Sequence, residues 1–239
     1  QVGGFPCVAK LPVGGYDGKG VRFVSSWDDL EDWLSAGSVL LEERVGFTRE
    51  LAQLSARRPS GQWDSWPTVE TVQVDGVCSV VRSPAPGLSP SQHAEARRIA
   101  ETIAESAGVV GVLAVEMFEL PDGSLLVNEL AMRPHNSGHV LTEHSVTSQF
   151  EQHLRAVTDC PLGATDFREP AGTMVNLFGH ASYEAWSTVA GDYPWAKFHS
   201  YQKDPRPGRK AGHIVVTGQD RDTVDEAARQ ATDRYQGEI

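Results

Sequence analysis

Two apolar segments, Val112 to Phe118 and Leu125 to Leu130, flank Pro121-Asp122-Gly123, and each segment carries one carboxylate among hydrophobic neighbours. Pro-Asp-Gly is turn chemistry, because proline presets φ and glycine takes the positive φ that a tight turn demands. The spacing therefore predicts a β-hairpin in which Glu116 falls opposite residue 128 or 129, with cross-strand neighbours ~5 Å apart. Two carboxylates so placed, with Val115 and Leu130 beside them, repel one another and are costly to desolvate. A divalent cation resolves that conflict. Hard oxygen ligands, with Asn128 adjacent, favour magnesium or manganese over zinc. The competing reading turns one of the two glutamates to solvent.

A second hairpin lies near the start of the chain. Pro6-Cys7-Val8-Ala9-Lys10 reads as a buried strand and Val21 to Val24 as its partner, with four glycines in the eight residues Val13 to Gly20. The spacing is wrong for a Walker loop, and Gly15-x-x-Gly18-x-Gly20 reverses the order of the dinucleotide fingerprint. What the loop offers is backbone N–H groups without side-chain shielding, together with Lys19. Those suit a lid over phosphates. The alternative is a mobile turn with no ligand.

Elsewhere the patterning is of strands and amphipathic helices. Ser26 is placed as an N-cap with Asp29 three residues on, ahead of Trp27, Leu30, Trp33 and Leu34 on one face. Strands are expected at Val39 to Glu43, Arg49 to Arg58, Thr68 to Val74 and Val77 to Arg82, the last two joined by an Asp75-Gly76 turn. A helix is expected from about Ser91 to Ala107, packing through Ile99, Ile103 and Ala107 and stopped by Gly108. A further helix carries Phe150, Leu154 and Val157. Pro161 to Pro170 reads as a boundary, followed by strands at Met174 to Phe178, Phe198 to Tyr201 and Ile214 to Val216 and a helix over Thr223 to Tyr235.

Charge narrows the partners. Lys plus Arg is 21 against 32 for Asp plus Glu, a net charge of −11, which repels nucleic acid and anionic membranes. Cys7, Cys78 and Cys160 are widely spaced and odd in number, giving neither a disulfide framework nor a zinc cluster. No apolar run approaches the ~20 residues of a membrane span and no signal peptide opens the sequence, so a cytoplasmic protein is expected. One segment runs against the acidic balance: four of the eight residues from Lys203 to Lys210 are basic. Such a cluster is either a solvated face or, stiffened here by Pro and Gly, a fork for one phosphate group. His135 and His139 stand in the loop after the acidic hairpin, available to substrate or to structural hydrogen bonds.

Taken together, Lys10, Gly15-Tyr16-Asp17-Gly18-Lys19-Gly20, Glu42-Glu43, Glu50, Glu116 with Asn128-Glu129, Arg133-Pro-His-Asn-Ser-Gly-His139 and Arg206-Pro-Gly-Arg-Lys-Ala-Gly-His213 occur in the order found in one family. The chain resembles the 5-(carboxyamino)imidazole ribonucleotide synthases, ATP-grasp enzymes of purine synthesis. The resemblance covers nearly the whole chain. The glycine loop and paired acids are common to ATP-grasp enzymes, whereas the two Arg-Pro segments are specific to this family. Met132 stands where the family usually has proline.

The resemblance implies an α+β ATP-grasp fold with antiparallel sheets in two lobes and nucleotide between them. Residues 1–160 would form the ATP-grasp domain (a lid lobe to about 46, a large lobe from 47) and 166–239 a small α+β domain. It implies that Lys10 and the loop Gly15, Tyr16, Asp17, Gly18, Lys19, Gly20 and Val21 meet the ATP phosphates. Glu42, Glu43, Arg44 and Val45 would hold adenine, Glu50 the ribose, and Glu116 and Glu129, with Asn128, magnesium or manganese. Aminoimidazole ribonucleotide would lie among Tyr16, Asp17, Arg133, His135, Asn136, Ser137, Arg209 and Lys210, with Asp17, Arg133, His135 and Lys210 nearest the chemistry. The implied reaction joins bicarbonate to that ribonucleotide through carboxyphosphate at the expense of ATP. Family members also carry an N-terminal domain ahead of Lys10 and act as homodimers, so this sequence is expected to be a piece of a longer chain. Other ATP-grasp ligases, or a nucleotide-binding fragment without turnover, are the rival readings.

Overall fold

Continuous and alternating apolar runs decide which strands sit at the centre of a sheet and which at its edge. The computed structural model describes residues 3–14 and 20–237. The chain divides into two compact units, Gln1–Phe47 with Gln73–Val77, and Thr48–Val72 with Cys78–Ile239.

In the first unit β1 (Cys7–Lys10), β2 (Val21–Val24) and β3 (Leu40–Glu43) pair antiparallel in the order β2-β1-β3. The expected N-terminal hairpin is present: Lys10 lies opposite Val21, and the Leu11 N–H donates to the Gly20 carbonyl at 2.8 Å. Gly15, Tyr16, Asp17, Gly18 and Lys19, the heart of the glycine loop, lie outside the described residues. Asp29 accepts from the N–H groups of Ser25 and Ser26 and so starts a 3-10 turn, Trp27–Leu30, that continues as α1 (Glu31–Ala36). The apolar face expected of this helix is only partly buried. Leu30 is enclosed, but Trp27 and Leu34 are exposed. Each tryptophan has one local ring contact, Trp27 edge-to-face with Phe5 and Trp33 with the Arg22 guanidinium 4.3 Å from its ring.

The second unit carries β4 (Arg49–Arg57), β5 (Trp63–Ser65), β6 (Val69–Val74) as far as Val72, β7 (Val77–Ser83) from Cys78, α2 (Pro90–Ser106), β8 (Gly111–Glu119) and β9 (Leu125–Ala131). There follow α3 (Leu141–His144), α4 (Gln149–Val157), β10 (Ala171–Gly179), α5 (Tyr183–Val189), β11 (Lys197–Ser200), β12 (Arg206–Gly218) and α6 (Arg221–Gln236). Nine strands form one sheet in the order β11-β12-β10-β7-β6-β4-β8-β9, with β5 paired to β4. The β6–β7 turn is the expected Asp75-Gly76, with φ of 51° and 76°. Strands β4 and β8 are buried on both faces. Leu51, Leu113, Val115 and Met117 meet α2, while Ala52, Leu54, Val112 and Ala114 meet Val140, Leu141 and Ala156. No helix among the described residues is long and apolar enough to cross a membrane.

Three expectations need correction, and two short elements are additional. Helix α2 buries Ala96, Ala100 and Ala104, with Ile99 and Ile103 only partly covered, because alanines let the helix axis approach the sheet. On α4, Phe150, Leu154 and Val157 are exposed, and the buried row is Gln149, Gln152 and Ala156. Those glutamines bond to neighbouring loop backbone, which an apolar side chain cannot do. Residues Arg206 to Lys210 are not a loop but the start of β12, bulged against β10 between Leu177 and Gly179, with Gly208 at φ +70°. Finally, short β5 and α5 carry too few residues to show a period in the sequence. The C-terminal segment extends the large sheet, since β10 pairs with β7 on one side and β12 on the other.

Trp66 pins the loop after α3 to the core. It is 1% exposed, and its Nε1–H is shared between Ser145 Oγ and the Thr147 carbonyl, each at 3.0 Å. Trp66→Phe is expected to cost about 2–4 kcal/mol, through lost packing and two acceptors left without a donor. A lower urea midpoint at unchanged m-value checks it.

Candidate active site

The acidic hairpin forms as its spacing requires. Glu116 pairs directly with Glu129, then the register slips so that Met117 pairs with Val127. Asn128 is therefore the extra residue of a β-bulge, which turns the carboxylate pair relative to the strand beyond it. Directly opposed residues share a face, so both carboxylates lie on one side of the sheet, the side of Val112 and Ala114. Glu116 is half-buried and Glu129 exposed. Among the described residues no group of three or more His, Cys, Asp or Glu gathers as a metal cage. Two hard carboxylates, one half-buried and one exposed, fit a cation that keeps waters and takes phosphate oxygens, the habit of magnesium.

The loop Arg133 to His139 comes back over this pair. His135 Nδ1 accepts from the Ser137 N–H and lies 2.8 Å from Ser137 Oγ, which leaves the ring proton on Nε2. That Nε2 is 3.1 Å from Glu116 Oε1, so the loop histidine donates to one member of the acid pair. Ser137 and Gly138 are buried. Asn136 and Asn176 of β10 form a reciprocal amide pair, with bonds of 3.0 and 2.8 Å, and Asn176 also donates to the Cys78 carbonyl. In this way the C-terminal segment grips the loop that touches Glu116.

Behind the loop lies a stack of imidazoles. His213, opposite Asn176 in the β10–β12 register, sits between His139 and His199 with ring centroids 4.8 and 4.6 Å away. His213 Nδ1 is 2.8 Å from the Tyr201 hydroxyl, and His199 Nε2 is 3.1 Å from Glu143 Oε1. Burial, reinforced by the neighbouring imidazoles and Lys210, pushes His139 down to about 4. Burial, with His139 and His199 beside it, pushes His213 to about 2. Burial raises the Tyr201 phenol. All three groups are neutral near pH 7, so they shape the site without adding charge to it.

Of the residues singled out in the sequence, the second unit thus brings together Glu116, Glu129, His135, Asn136 and Ser137. Lys210 is near enough to His139 to lower its pKa. Arg133 and Arg209 are exposed, Arg133 donating to the Pro134 carbonyl. Glu50 is half-buried on β4, opposite Thr71 and Phe118. In the first unit Lys10 Nζ is 2.7 Å from Glu42, Glu43 ends β3, and the Arg44 guanidinium lies 5.3 Å from the Phe23 ring. Sequence reasoning missed Gln149, Asn176, His199 and Tyr201. Asn176 sits among Met174, Val175, Leu177 and Phe178, and a polar residue inside a hydrophobic strand is the signal that points to it, whereas Gln149 lies between Ser148 and Phe150 and carries no such signal.

Comparison with known proteins gives a consistent answer. Residues 1–150 match the ATP-grasp domain family and residues 172–227 the phosphoribosylaminoimidazole carboxylase C-terminal domain. The chain is 50% identical over 226 residues to the N5-carboxyaminoimidazole ribonucleotide synthase of Mycobacterium tuberculosis (strain ATCC 25618 / H37Rv), covering 90% of this chain and 53% of that one. The chain therefore spans about half the length of such relatives. Among solved structures it is similar to N5-carboxyaminoimidazole ribonucleotide synthetase from Thermus thermophilus, at 34% identity and a TM-score of 0.82 over 99% of this chain and 62% of that one. It is also similar to the Aspergillus clavatus enzyme in complex with ADP and 5-aminoimidazole ribonucleotide, at 32% identity and a TM-score of 0.85 over 98% of this chain and 63% of that one.

Proposed function

Because the chain belongs to the ATP-grasp family, in the branch of the N5-carboxyaminoimidazole ribonucleotide synthases, we propose that it carries the catalytic centre for ATP-dependent carboxylation of 5-aminoimidazole ribonucleotide. Bicarbonate attacks the γ-phosphate of ATP, giving carboxyphosphate and ADP. The exocyclic amine of the ribonucleotide then takes the carboxyl group, and phosphate leaves. Such a reaction needs positioning and charge neutralisation more than a covalent nucleophile. Exclusion of water protects the carboxyphosphate.

The observation that carries this reading is Glu116 in register with Glu129 and within 3.1 Å of His135 Nε2. In the proposal Glu116 and Glu129, with Asn128 alongside, hold magnesium, which neutralises phosphate charge when bound. Manganese meets the same donor set. Lys10 and the loop from Gly15 through Tyr16, Asp17, Gly18, Lys19 and Gly20 to Val21 bind phosphates. Glu42, Glu43, Arg44 and Val45 hold adenine, and Glu50 the ribose. His135 orients Glu116 and, with Tyr16, Asp17, Arg133, Asn136, Ser137, Arg209 and Lys210, receives the ribonucleotide. The domain division near residues 160–166, cytoplasmic location and homodimeric assembly of the longer protein belong to the same proposal.

The test is release of ADP by the purified chain, with magnesium and bicarbonate, in the presence and absence of aminoimidazole ribonucleotide. Release that requires both bicarbonate and the ribonucleotide is expected. ADP release indifferent to the ribonucleotide would point to another ATP-grasp ligase, and nucleotide binding with no release to a binding module.

A further inference from the structure

Gln149 opens α4 at a position where the sequence offers three apolar neighbours for burial and buries none of them. Gln149 itself is 0% exposed, and its amide is used in full. Oε1 accepts from the His135 N–H at 2.8 Å, and Nε2 donates to the His135 carbonyl at 2.9 Å. The second Nε2 hydrogen faces His139 Nδ1 at 3.2 Å. Rotating the amide by half a turn would set N–H against N–H at His135, so the orientation is fixed by chemistry. The carboxamide therefore closes a two-bond ring on the backbone of His135 while holding the ring of His139.

Gly138 completes the clamp. A Cβ there would stand 2.2 Å from Gln149 Oε1 and 2.5 Å from Leu54 Cδ2, so glycine is required by the closeness of the glutamine rather than by its φ. A buried loop must find partners for its backbone groups, and Gln149 supplies them to the one residue whose ring reaches Glu116.

We propose that Gln149 is a positioning residue of the active site, acting through the His135 backbone to set the His135–Glu116 hydrogen bond at the carboxylate pair. The role in catalysis rests on the function proposed above; the positioning itself does not. A group orienting a metal-ligating carboxylate typically changes metal affinity or activity by roughly 10–100-fold when lost. Gln149 acts one step behind such a group.

The test uses the full chain with ¹⁵N-labelled histidine. In the wild type, His135 should report an Nε2–H tautomer with a slowly exchanging proton. Gln149→Met, of similar length but without the bonds, is expected to speed exchange of that proton and broaden its signal. Affinity for Mn²⁺ in the presence of ADP, read by electron paramagnetic resonance, should fall about tenfold. Gly138→Ala leaves Gln149 in place but pushes its amide aside, and the same two changes are expected. Gln149→Glu keeps the acceptor for the His135 N–H and should retain part of both signals. Variants that lose thermal stability while His135 exchange and Mn²⁺ affinity stay as in the wild type would overturn the proposal and leave Gln149 a packing residue. If the wild type itself binds no Mn²⁺ with ADP, the function proposal fails, and the His135 signal still decides the positioning role.

Discussion

Glu129→Gln is expected to slow bicarbonate-dependent ADP release by about 10²–10³-fold while leaving thermal stability within about 0.5 kcal/mol of the wild type. The two halves of this expectation come from different features of the residue. Its side chain is exposed on β9 and glutamine keeps its size, so little packing is disturbed. Its place opposite Glu116, in contrast, makes it one of two charges available to a cation carrying phosphate. Glu116→Gln should behave alike in turnover, because an amide oxygen still accepts from His135 Nε2–H but brings no charge. Since the carboxylates act as a unit, the double variant should lose little more than either single one. Rates measured across a magnesium titration decide the matter. A Glu129→Gln enzyme with an unchanged rate at low magnesium refutes the metal role, and a large fall in melting temperature assigns the residue to structure instead.

Local chemistry makes most of the frame legible. Turn residues mark both hairpins, and the alternation around Glu116 and Glu129 predicts the pairing that the strands adopt. Helix faces are harder, for one physical reason. Periodicity counts apolar residues, but α2 is buried through alanines and α4 through glutamines, while Phe150 and Leu154 stay at the surface. Burial at α4 is decided by the hydrogen bonds that the loop after β9 requires, and those partners are remote in sequence. The same holds for Asn176 and His213, which reach the loop only because β10 and β12 join the large sheet. Such a register cannot be read from segments taken one at a time. The basic run Arg206 to Lys210 is visible as charge, but its conversion into a bulged strand depends on pairing with Phe178 and Gly179.

The folded chain is expected to lose stability steeply as pH falls from about 6.5 to 4, by several kcal/mol in all. Three buried imidazoles drive the effect. His144 is 0% exposed, with Nδ1 3.0 Å from Ser83 Oγ, Nε2 2.7 Å from the Glu169 carbonyl, and Phe167 stacked at 4.0 Å. Its neutral form satisfies both contacts, and burial holds it down to about 4. His139 and His213 are likewise depressed, chiefly by burial. In the unfolded chain each titrates near 6.5, so below that pH the unfolded state binds protons that the native state refuses. Stability from these groups is therefore complete above about 6.5 and drains away at ~1.4 kcal/mol per pH unit per histidine. His139 and His213 stack on one another, so their contributions are coupled and smaller than a simple sum. A loss of several kcal/mol is a large share of the ~5–15 kcal/mol that keeps a domain folded, so these imidazoles weaken the fold before most carboxylates protonate, at about pH 4. Urea titrations at half-unit pH steps give the slope. His144→Gln supplies the control: it removes one titrating group, costs stability at pH 7.5, and should flatten the slope below 6.5. A wild-type slope near zero between pH 6.5 and 4 would mean that these imidazoles take up protons in the native state, and that the stack behind His135 is not the neutral layer its burial implies.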